Sequence, residues 1–340
     1  MNVETKNRVL VCPLGWGLGH ASRLIPIIKQ LQESGHEVIA AGDRLQMQYI
    51  ASFFPEILIL DFPSFKVKFS KGSNQTFPFL GIALRLPYHI IKEHYALRRI
   101  IKEYGIKQII SDNRYGLWDR GVKSVLITHQ LRVMFPKPFR FLEPIGAFFV
   151  RFIAVKFDEC WIPDFQGEEN LAGKLSHPSK LPRNVKYIGP LSRFKGIEVP
   201  QGHERWDLVG VSSGPSPHRE ILIEQIANLG RKNNLKTLVV KGNPLEGNEI
   251  LKVNGVYYAG HLNDYNLATA IKSTKHLICR AGYSTIMDLY ALKVNCILVP
   301  TPGQTEQEYL TYYLSCKGLF KSCKQSELAN IELSIINTDY

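Results

Sequence analysis

Long apolar runs are missing from this chain: nowhere do about 20 apolar residues follow one another without charge, so no segment reads as a membrane span. Cysteine is sparse, six residues in 340. Cys12, Cys160, Cys279, Cys296, Cys316 and Cys323 form no CxxC pair and no cluster with histidine at metal spacing, so neither a structural zinc nor a disulfide framework is expected. Internal repeats and low-complexity tracts are absent, and disorder is excluded by a hydrophobic share of 45% against 21% charged residues. The stretch MNVETKNRVLVCP, residues 1–13, has neither the apolar length of a signal segment nor a cleavage site. A cytoplasmic location is therefore the expectation. Acidic residues are outnumbered, 30 against 42 Lys and Arg, leaving a net charge of +12 that favours an anionic partner.

What is present is a strand-helix alternation. Short β-branched runs, among them Arg8 to Cys12, Glu37 to Ala41, Ile57 to Leu60, Gln108 to Ile110 and Ser124 to Thr128, read as strands buried on both faces. Between them lie helical patterns such as Ser22 to Glu33, where Leu24, Ile27, Ile28 and Leu31 recur at helical spacing. The same order returns after Asp207. The predicted class is α/β, with two doubly wound Rossmann-like domains facing a cleft. The expected division is a first domain over 1–190, a Gly/Pro-dense linker over 191–203, a second domain over 204–325, and a tail over 326–340.

Two segments sit outside a plain α/β core, Phe77 to Tyr95 and Phe135 to Phe157. They are aromatic, contain prolines and carry Arg and Lys, with Glu93 and Glu143 as the only acids. Two readings stay open: core helices capped by basic residues, or a basic, aromatic face that rests on an anionic membrane or grips an acyl chain.

In doubly wound sheets ligands bind beyond the carboxyl ends of the strands, and the informative loops all fall there. The first, Pro13 to His20, holds Gly15, Gly17 and Gly19 but has His20 where a dinucleotide fingerprint needs its last glycine, so an NAD site is not expected. Asp43, after Gly42 and before a helix, is not in the form a ribose clamp expects, and a helix N-cap explains it equally well. The glycines allow close approach of another molecule, and His20 at a helix start is a candidate general base, a polar N-cap being the other reading. Ser212 to Pro217 offers small hydroxyls and Gly214 as a phosphate nest. Cys279 to Asp288 offers the N–H groups of a helix start at Gly282, Ser284 and Thr285 to a diphosphate, and Asp288 to ribose hydroxyls. Pro300 to Glu308, with Gln304, Gln307 and Glu308, suits the hydroxyls of a sugar.

With these loops in place the sequence resembles the GT-B glycosyltransferases, most closely the family 28-like branch that includes the N-acetylglucosamine transferase of lipid II synthesis. The likeness spans nearly the whole chain and is carried by GWGLGHASR, residues 15–23, and by CRAGYSTIMDL with VPTPGQTEQEY, residues 279–289 and 299–309. It implies that His20 is the acceptor base or supports the leaving diphosphate, that Arg193 meets the donor phosphates, and that Ser213 and Gly214 form the phosphate loop. His261 and Leu262 would read the base, Asp288 would hold the ribose, and Gln307 and Glu308 would recognise the donor sugar. Glu308 stands where the family has glutamine, which bears on N-acetylglucosamine as donor. The phosphate loop SSGPSP also departs from the glycine-rich family form. The acceptor side is assigned to Gly17, Gly19, Asp112, Asn113, His129 and Gln130; buried polar strand ends remain the other reading for the last four. The tail is expected, by the same resemblance, to return as a helix to the first domain.

No DxD motif is present to hold a divalent ion at a nucleotide sugar. With the activity that the resemblance implies, the expectation is metal-independent, cofactor-free, inverting transfer from a nucleoside-diphosphate sugar, UDP-linked, to a hydroxyl of a lipid-linked or glycan acceptor. A nucleotide-sugar hydrolase of the same fold is one alternative. A basic binding protein is another, although no helix-turn-helix, RNP-like motif or single basic stripe points to nucleic acid.

Overall fold

The computed structural model describes residues 7–64, 76–199, 206–214 and 216–332, without the side chains of 76–80, 82 and 83. Pro215 of the phosphate loop, residues 200–203 of the expected linker, the start of the Phe77 to Tyr95 segment as side chains, and the tail beyond residue 332 thus lie outside the described residues. The chain divides into two compact units, with the main boundary between Leu191 and Ser192.

The first unit runs β1 (Arg8–Pro13), α1 (Leu18–Glu33), β2 (Glu37–Gly42), α2 (Arg44–Phe53), β3 (Leu58–Asp61), α3 (Thr76–Tyr104), β4 (Gln108–Asp112), β5 (Lys123–Ile127), α4 (Glu143–Ala154), β6 (Glu159–Ile162) and β7 (Val185–Tyr187). Its sheet has the order β3-β2-β1-β4-β5-β6-β7, and every pairing is parallel. The continuous apolar runs have a direct cause. Val9 and Val11 face one layer with Val38, Ala40, Leu24 and Ile28. Their neighbours Leu10 and Cys12 face the opposite layer with Ile39, Leu97 and Ile100. Alternating side chains that both meet helices must all be apolar. Each fully buried Leu or Val contributes about 1.5–3 kcal/mol.

The second unit runs β8 (Trp206–Val211), α5 (His218–Lys232), β9 (Thr237–Val240), β10 (Leu251–Val253), β11 (Val256–Ala259), α6 (Asp264–Lys272), β12 (Thr274–Arg280), α7 (Tyr283–Leu292), β13 (Ile297–Val299), α8 (Thr305–Cys316) and β14 (Lys321–Ser322). The order is β10-β11-β9-β8-β12-β13-β14, parallel except for the antiparallel β10–β11 pair. Beyond α8 the described part of the tail forms a short 3-10 turn, Leu328–Asn330, and Leu328 packs into the core of this unit beside Leu222 and Ile226.

Each sheet reverses its winding once, between β1 and β4 in the first unit and between β8 and β12 in the second. At such a reversal neighbouring strands send their following loops in opposite directions and leave a crevice at their carboxyl ends. The register places Pro13 beside Asp112 in the first sheet and Val211 beside Cys279 in the second.

α3 and α4, which carry the two aromatic segments, each have a packed face and an exposed one. On α3, Leu84, Tyr88, Ile91 and Tyr95 are exposed at helical spacing. Phe141, Ile145, Phe148, Phe152 and Val155 form a second exposed stripe along α4 and its flanks. The two acids turn inward. Glu93 is buried against Arg114 at 3.0 Å, and Glu143 is buried against Arg132 at 2.7 Å. What remains outward is apolar and basic, with Arg85, Lys92, Lys137, Arg140 and Lys156 exposed beside the stripes. These helices do pack on the core by their other faces, through Leu97 and Ile100 on α3 and Val150 and Ile153 on α4, so the capped-core reading accounts for only half of each helix. Among the described residues no helix is long and apolar enough to cross a membrane.

Candidate active site

The β1–α1 loop owes its shape to two different glycines. Gly17 is the residue that caps α1, at φ 128° and ψ 171°, a conformation glycine adopts without the cost of a Cβ. Open space surrounds the position where its Cβ would stand. At Gly15 the expectation of room for another molecule is corrected. A Cβ there would collide with the carboxylate of Asp43 and with Ser64, so this chain itself fills the space. Asp43 does occupy the N-cap position of α2, but its side chain makes no capping bond.

His20 is the third residue of α1, within its first turn, and so does not cap the helix. Its Nδ1 lies 3.1 Å from Oδ2 of Asp112, the last residue of β4, where a protonated Nδ1 donates. The reversal of the sheet brings the two together from positions 92 residues apart. Asp112 is fully buried, and it also accepts from Arg23 Nε at 2.8 Å through Oδ2 and from Arg23 Nη2 through Oδ1. Arg23 Nη2 lies 2.9 Å from His20 Nδ1, and Arg23 Nη1 lies 3.4 Å from Nδ1 of buried His129. Burial pushes the Asp112 carboxyl up, but Arg23 and His20 outweigh it and hold the group below the ordinary carboxylate range. His20 is pulled below the ordinary histidine value by burial, against the attraction of Asp112, with Arg23 and His129 adding to the fall. The neutral imidazole expected from a helix terminus thus arises chiefly from burial and neighbouring cations.

Of the other acceptor-side residues, Asn113 takes a left-handed conformation at φ 55° directly after β4. Its Oδ1 is buried without a hydrogen-bond partner among the described residues. The N–H of Gln130 donates to Thr128 Oγ1 at 3.1 Å, which turns the chain after β5. Gly19 lies within α1, where its carbonyl accepts from Ser22 Oγ at 3.0 Å.

In the second unit the loops follow β8, β11, β12 and β13. Ser213 and Gly214 lie between β8 and α5, Gly214 at φ 100°, and Ser212 beneath them bonds the carbonyl of Arg219 at 3.1 Å. Gly282 caps α7, so Ser284 and Thr285 fall in its first turn. Arg193, Asp264 and Asp288 meet: Arg193 Nη1 is 3.1 Å from Asp264 Oδ1, and Arg193 Nε is 3.5 Å from Asp288 Oδ2. Asp288 Oδ1 accepts from Ser192 Oγ at 2.7 Å. Burial pushes the Asp288 carboxyl up to about 6 against the pull of Arg193 and Ser192, and nearby Asp264 adds to the rise. His261 falls to about 4 through burial and Arg193. Its backbone N–H donates to the Gly247 carbonyl at 2.9 Å, and Leu262 beside it is buried.

The residues assigned to the donor sugar are engaged with their own loop. Gln307 Oε1 accepts from the Thr301 N–H at 2.8 Å and Glu308 Oε1 from the Gly303 N–H at 2.9 Å. These bonds fix the β13–α8 loop and use one oxygen of each side chain. In that loop Thr301 Oγ1 and Gln304 Oε1 are buried without a hydrogen-bond partner among the described residues. Buried polar atoms in native proteins are nearly always satisfied, so such groups at a strand end mark a place for a ligand or water.

The sequence reading passed over Arg23, Asp264 and Arg280. Arg280 ends β12 almost fully buried; it donates to the His218 carbonyl at 2.7 Å, Gln325 Oε1 at 2.8 Å and the Pro300 carbonyl at 3.2 Å. A visible signal was an arginine closing the apolar run of Leu277, Ile278 and Cys279. For Arg23 it was a charged residue among Ala21, Leu24 and Ile27 on the buried side of α1.

Residues 219–335 match the Glycosyltransferase family 28 C-terminal domain. The chain is 23% identical over 345 residues to the UDP-N-acetylglucosamine--N-acetylmuramyl-(pentapeptide) pyrophosphoryl-undecaprenol N-acetylglucosamine transferase of Pasteurella multocida, covering 99% of this chain and 90% of the relative. Among solved structures it is similar to MurG of Acinetobacter baumannii, with a TM-score of 0.55, 14% identity, and 98% and 88% of the two chains covered. It is also similar to LpCGTa in complex with UDP, with a TM-score of 0.63, 13% identity, and 98% and 91% covered.

Proposed function

We propose that this chain, a glycosyltransferase of GT-B fold with a family 28 C-terminal domain, moves a sugar from a UDP-linked donor to a hydroxyl of a lipid-linked or glycan acceptor, with inversion and without a metal. The observation that carries the reading is the buried His20–Asp112 pair at the carboxyl end of the first sheet. With Nδ1–H donating a hydrogen bond to the Asp112 carboxylate, the neutral ring keeps a lone pair on Nε2. That nitrogen takes the acceptor hydroxyl proton; the oxygen lone pair forms the bond to the anomeric carbon; and the bond from that carbon to the diphosphate breaks, its electron pair leaving with the nucleotide. An oriented base of this kind is worth roughly 100 to 10,000-fold in rate.

The second unit holds the donor. N–H groups at the starts of α5 and α7 and the Arg193 guanidinium meet the diphosphate, and Asp288 accepts from the ribose hydroxyls. Arg193 already lies against Asp288 and Asp264, so phosphate binding draws its charge from a preformed cluster. The Pasteurella multocida relative is named for a UDP-linked donor and an undecaprenol-linked acceptor, the same two classes of substrate. The exposed stripes of α3 and α4, fringed by basic residues, rest on the anionic cytoplasmic face of a membrane, beside the lipid of the acceptor.

The test begins with thermal shift against a panel of UDP-, dTDP- and GDP-sugars. A UDP-sugar present at 100 times its dissociation constant raises stability by about 2.7 kcal/mol. With that donor, His20→Ala is expected to lose at least about 100-fold in turnover while donor affinity stays within twofold. Full turnover in His20→Ala refutes the base. Release of free sugar at a rate that no acceptor improves refutes transfer in favour of hydrolysis.

A further inference from the structure

We propose that Arg23 is a positioning residue for His20: it locks the buried Asp112 carboxylate in place and cancels its charge, so that His20 rests as a neutral ring with its proton on Nδ1. The inference rests on the reading of His20 as the base and adds what keeps that base ready.

The geometry is specific to the pair. Arg23 reaches both carboxylate oxygens, Oδ2 through Nε at 2.8 Å and Oδ1 through Nη2. Both side chains are inside the unit, with 1% and 0% of their surface exposed. A fork of this kind fixes the plane of the carboxylate, and lysine cannot reproduce it. His20 and Arg23 stand three residues apart on α1, the spacing that places them on one helix face.

Charge decides the rest. A lone carboxylate buried beside an imidazole draws a proton onto the ring, and an imidazolium is no base. Beside an Arg23–Asp112 pair of zero net charge that pull is largely cancelled. The groups facing His20 are Asp112 from β4, Arg23 from α1 and His129 from the segment after β5, so the balance has one anion against one fixed cation and a second imidazole. The tautomer is a choice between two contacts at Nδ1. A guanidinium only donates, so Nη2 at 2.9 Å pairs with a bare Nδ1, whereas Asp112 Oδ2 at 3.1 Å pairs with a protonated one. Nη2 already donates to Oδ1, which leaves the ring to donate to Oδ2. Only the proton on Nδ1 leaves Nε2 with the lone pair that the acceptor hydroxyl needs, and that is the tautomer assigned to the resting ring.

The experiment uses the full chain labelled with 13C and 15N at histidine, the His20 signals being those missing from His20→Gln. Arg23→Gln removes the charge, and the His20 titration midpoint is expected to rise by about one pH unit, a tenfold change in proton affinity. Arg23→Lys keeps the charge without the fork; the midpoint should stay near the native one while the 15N shifts report a growing population protonated at Nε2. An unchanged or lowered midpoint in folded Arg23→Gln overturns the proposal. So does a native tautomer ratio in Arg23→Lys, which serves alone if Arg23→Gln does not fold. A passive packing role would move neither signal. If the midpoint rises and the acidic limb of kcat/KM does not follow, Arg23 governs His20 as proposed, and the base reading is what fails.

Discussion

Replacing Asp112 by Asn leaves shape intact and removes one charge, which makes the cost of the buried cluster measurable. In the native protein Asp112 accepts from Arg23 through both oxygens and from His20, with no exposure to solvent. In Asp112→Asn one oxygen becomes an amide that can only donate, facing either a guanidinium or the ring. Arg23 keeps its charge, is 1% exposed, and loses its carboxylate. Breaking a buried pair from one side costs about 3–5 kcal/mol, whereas removing both partners together is often close to neutral. At roughly 2–4 °C per kcal/mol for a domain of this size, Asp112→Asn should melt about 6–20 °C lower at pH 7. The double variant Asp112→Leu with Arg23→Met should recover most of that loss. The pH dependence has a definite sign. The folded carboxyl lies below its ordinary value of 3.8, so its contribution is complete above 3.8 and vanishes as pH falls through the folded value. The gap between native and variant should therefore narrow in acid. Melting within about 2 °C of native at pH 7, or a gap that stays constant below pH 3.8, would refute the reasoning.

Three further outcomes are expected. The acidic limb of kcat/KM should fall below 6.5, because burial, with Arg23 and His129, lowers the His20 value and the base is lost only when pH drops through it; a limb at or above 6.5 contradicts this. Asp288→Asn should raise the melting temperature of the free protein above pH 6, since burial raises that carboxyl from 3.8 to about 6 and the ionised form costs up to about 3 kcal/mol. The same variant should bind nucleoside diphosphate more weakly by isothermal calorimetry, and equal affinity would count against its ribose role. Phe148→Glu should cut sedimentation with anionic vesicles by about tenfold or more, as one buried Phe is worth about 1.5–3 kcal/mol; unchanged sedimentation, or none for the native chain at low salt, removes the membrane reading.

Much of the fold was legible because both sheets are buried on both faces, so their strands announce themselves as apolar runs such as Arg8–Pro13 and Ile297–Val299. The loops could be read for the same reason, since a strand end followed by a helix start is a local pattern. Partnerships were not legible. His20 and Asp112 were both singled out, but their contact depends on β1 lying beside β4, which no local window contains. Glu93 and Glu143 stood out only as the acids of two basic segments; their partners, Arg114 and Arg132, lie outside those segments. Gly15 was read as room for a ligand, and Asp43 and Ser64, which occupy that room, are distant in sequence. Gln307 and Glu308 were read by chemistry alone; their bonds to Thr301 and Gly303 depend on how the loop folds back on α8.

The pairing of Pro13 with Asp112 also constrains how the chain can acquire its shape. Closing a loop of about 100 residues costs on the order of 4 kcal/mol of chain entropy, so β1, α1 and β2 can gather locally well before β4 arrives. Until it does, α1 presents an arginine on the very face that must pack, with no carboxylate to receive it. Burying that charge without its partner is costly, so the packing of α1 is complete only with β4 in place. An intermediate with β4 misplaced would therefore lack both a settled core and a working base, and the residue that readies the reaction also checks that the sheet was assembled in the right order.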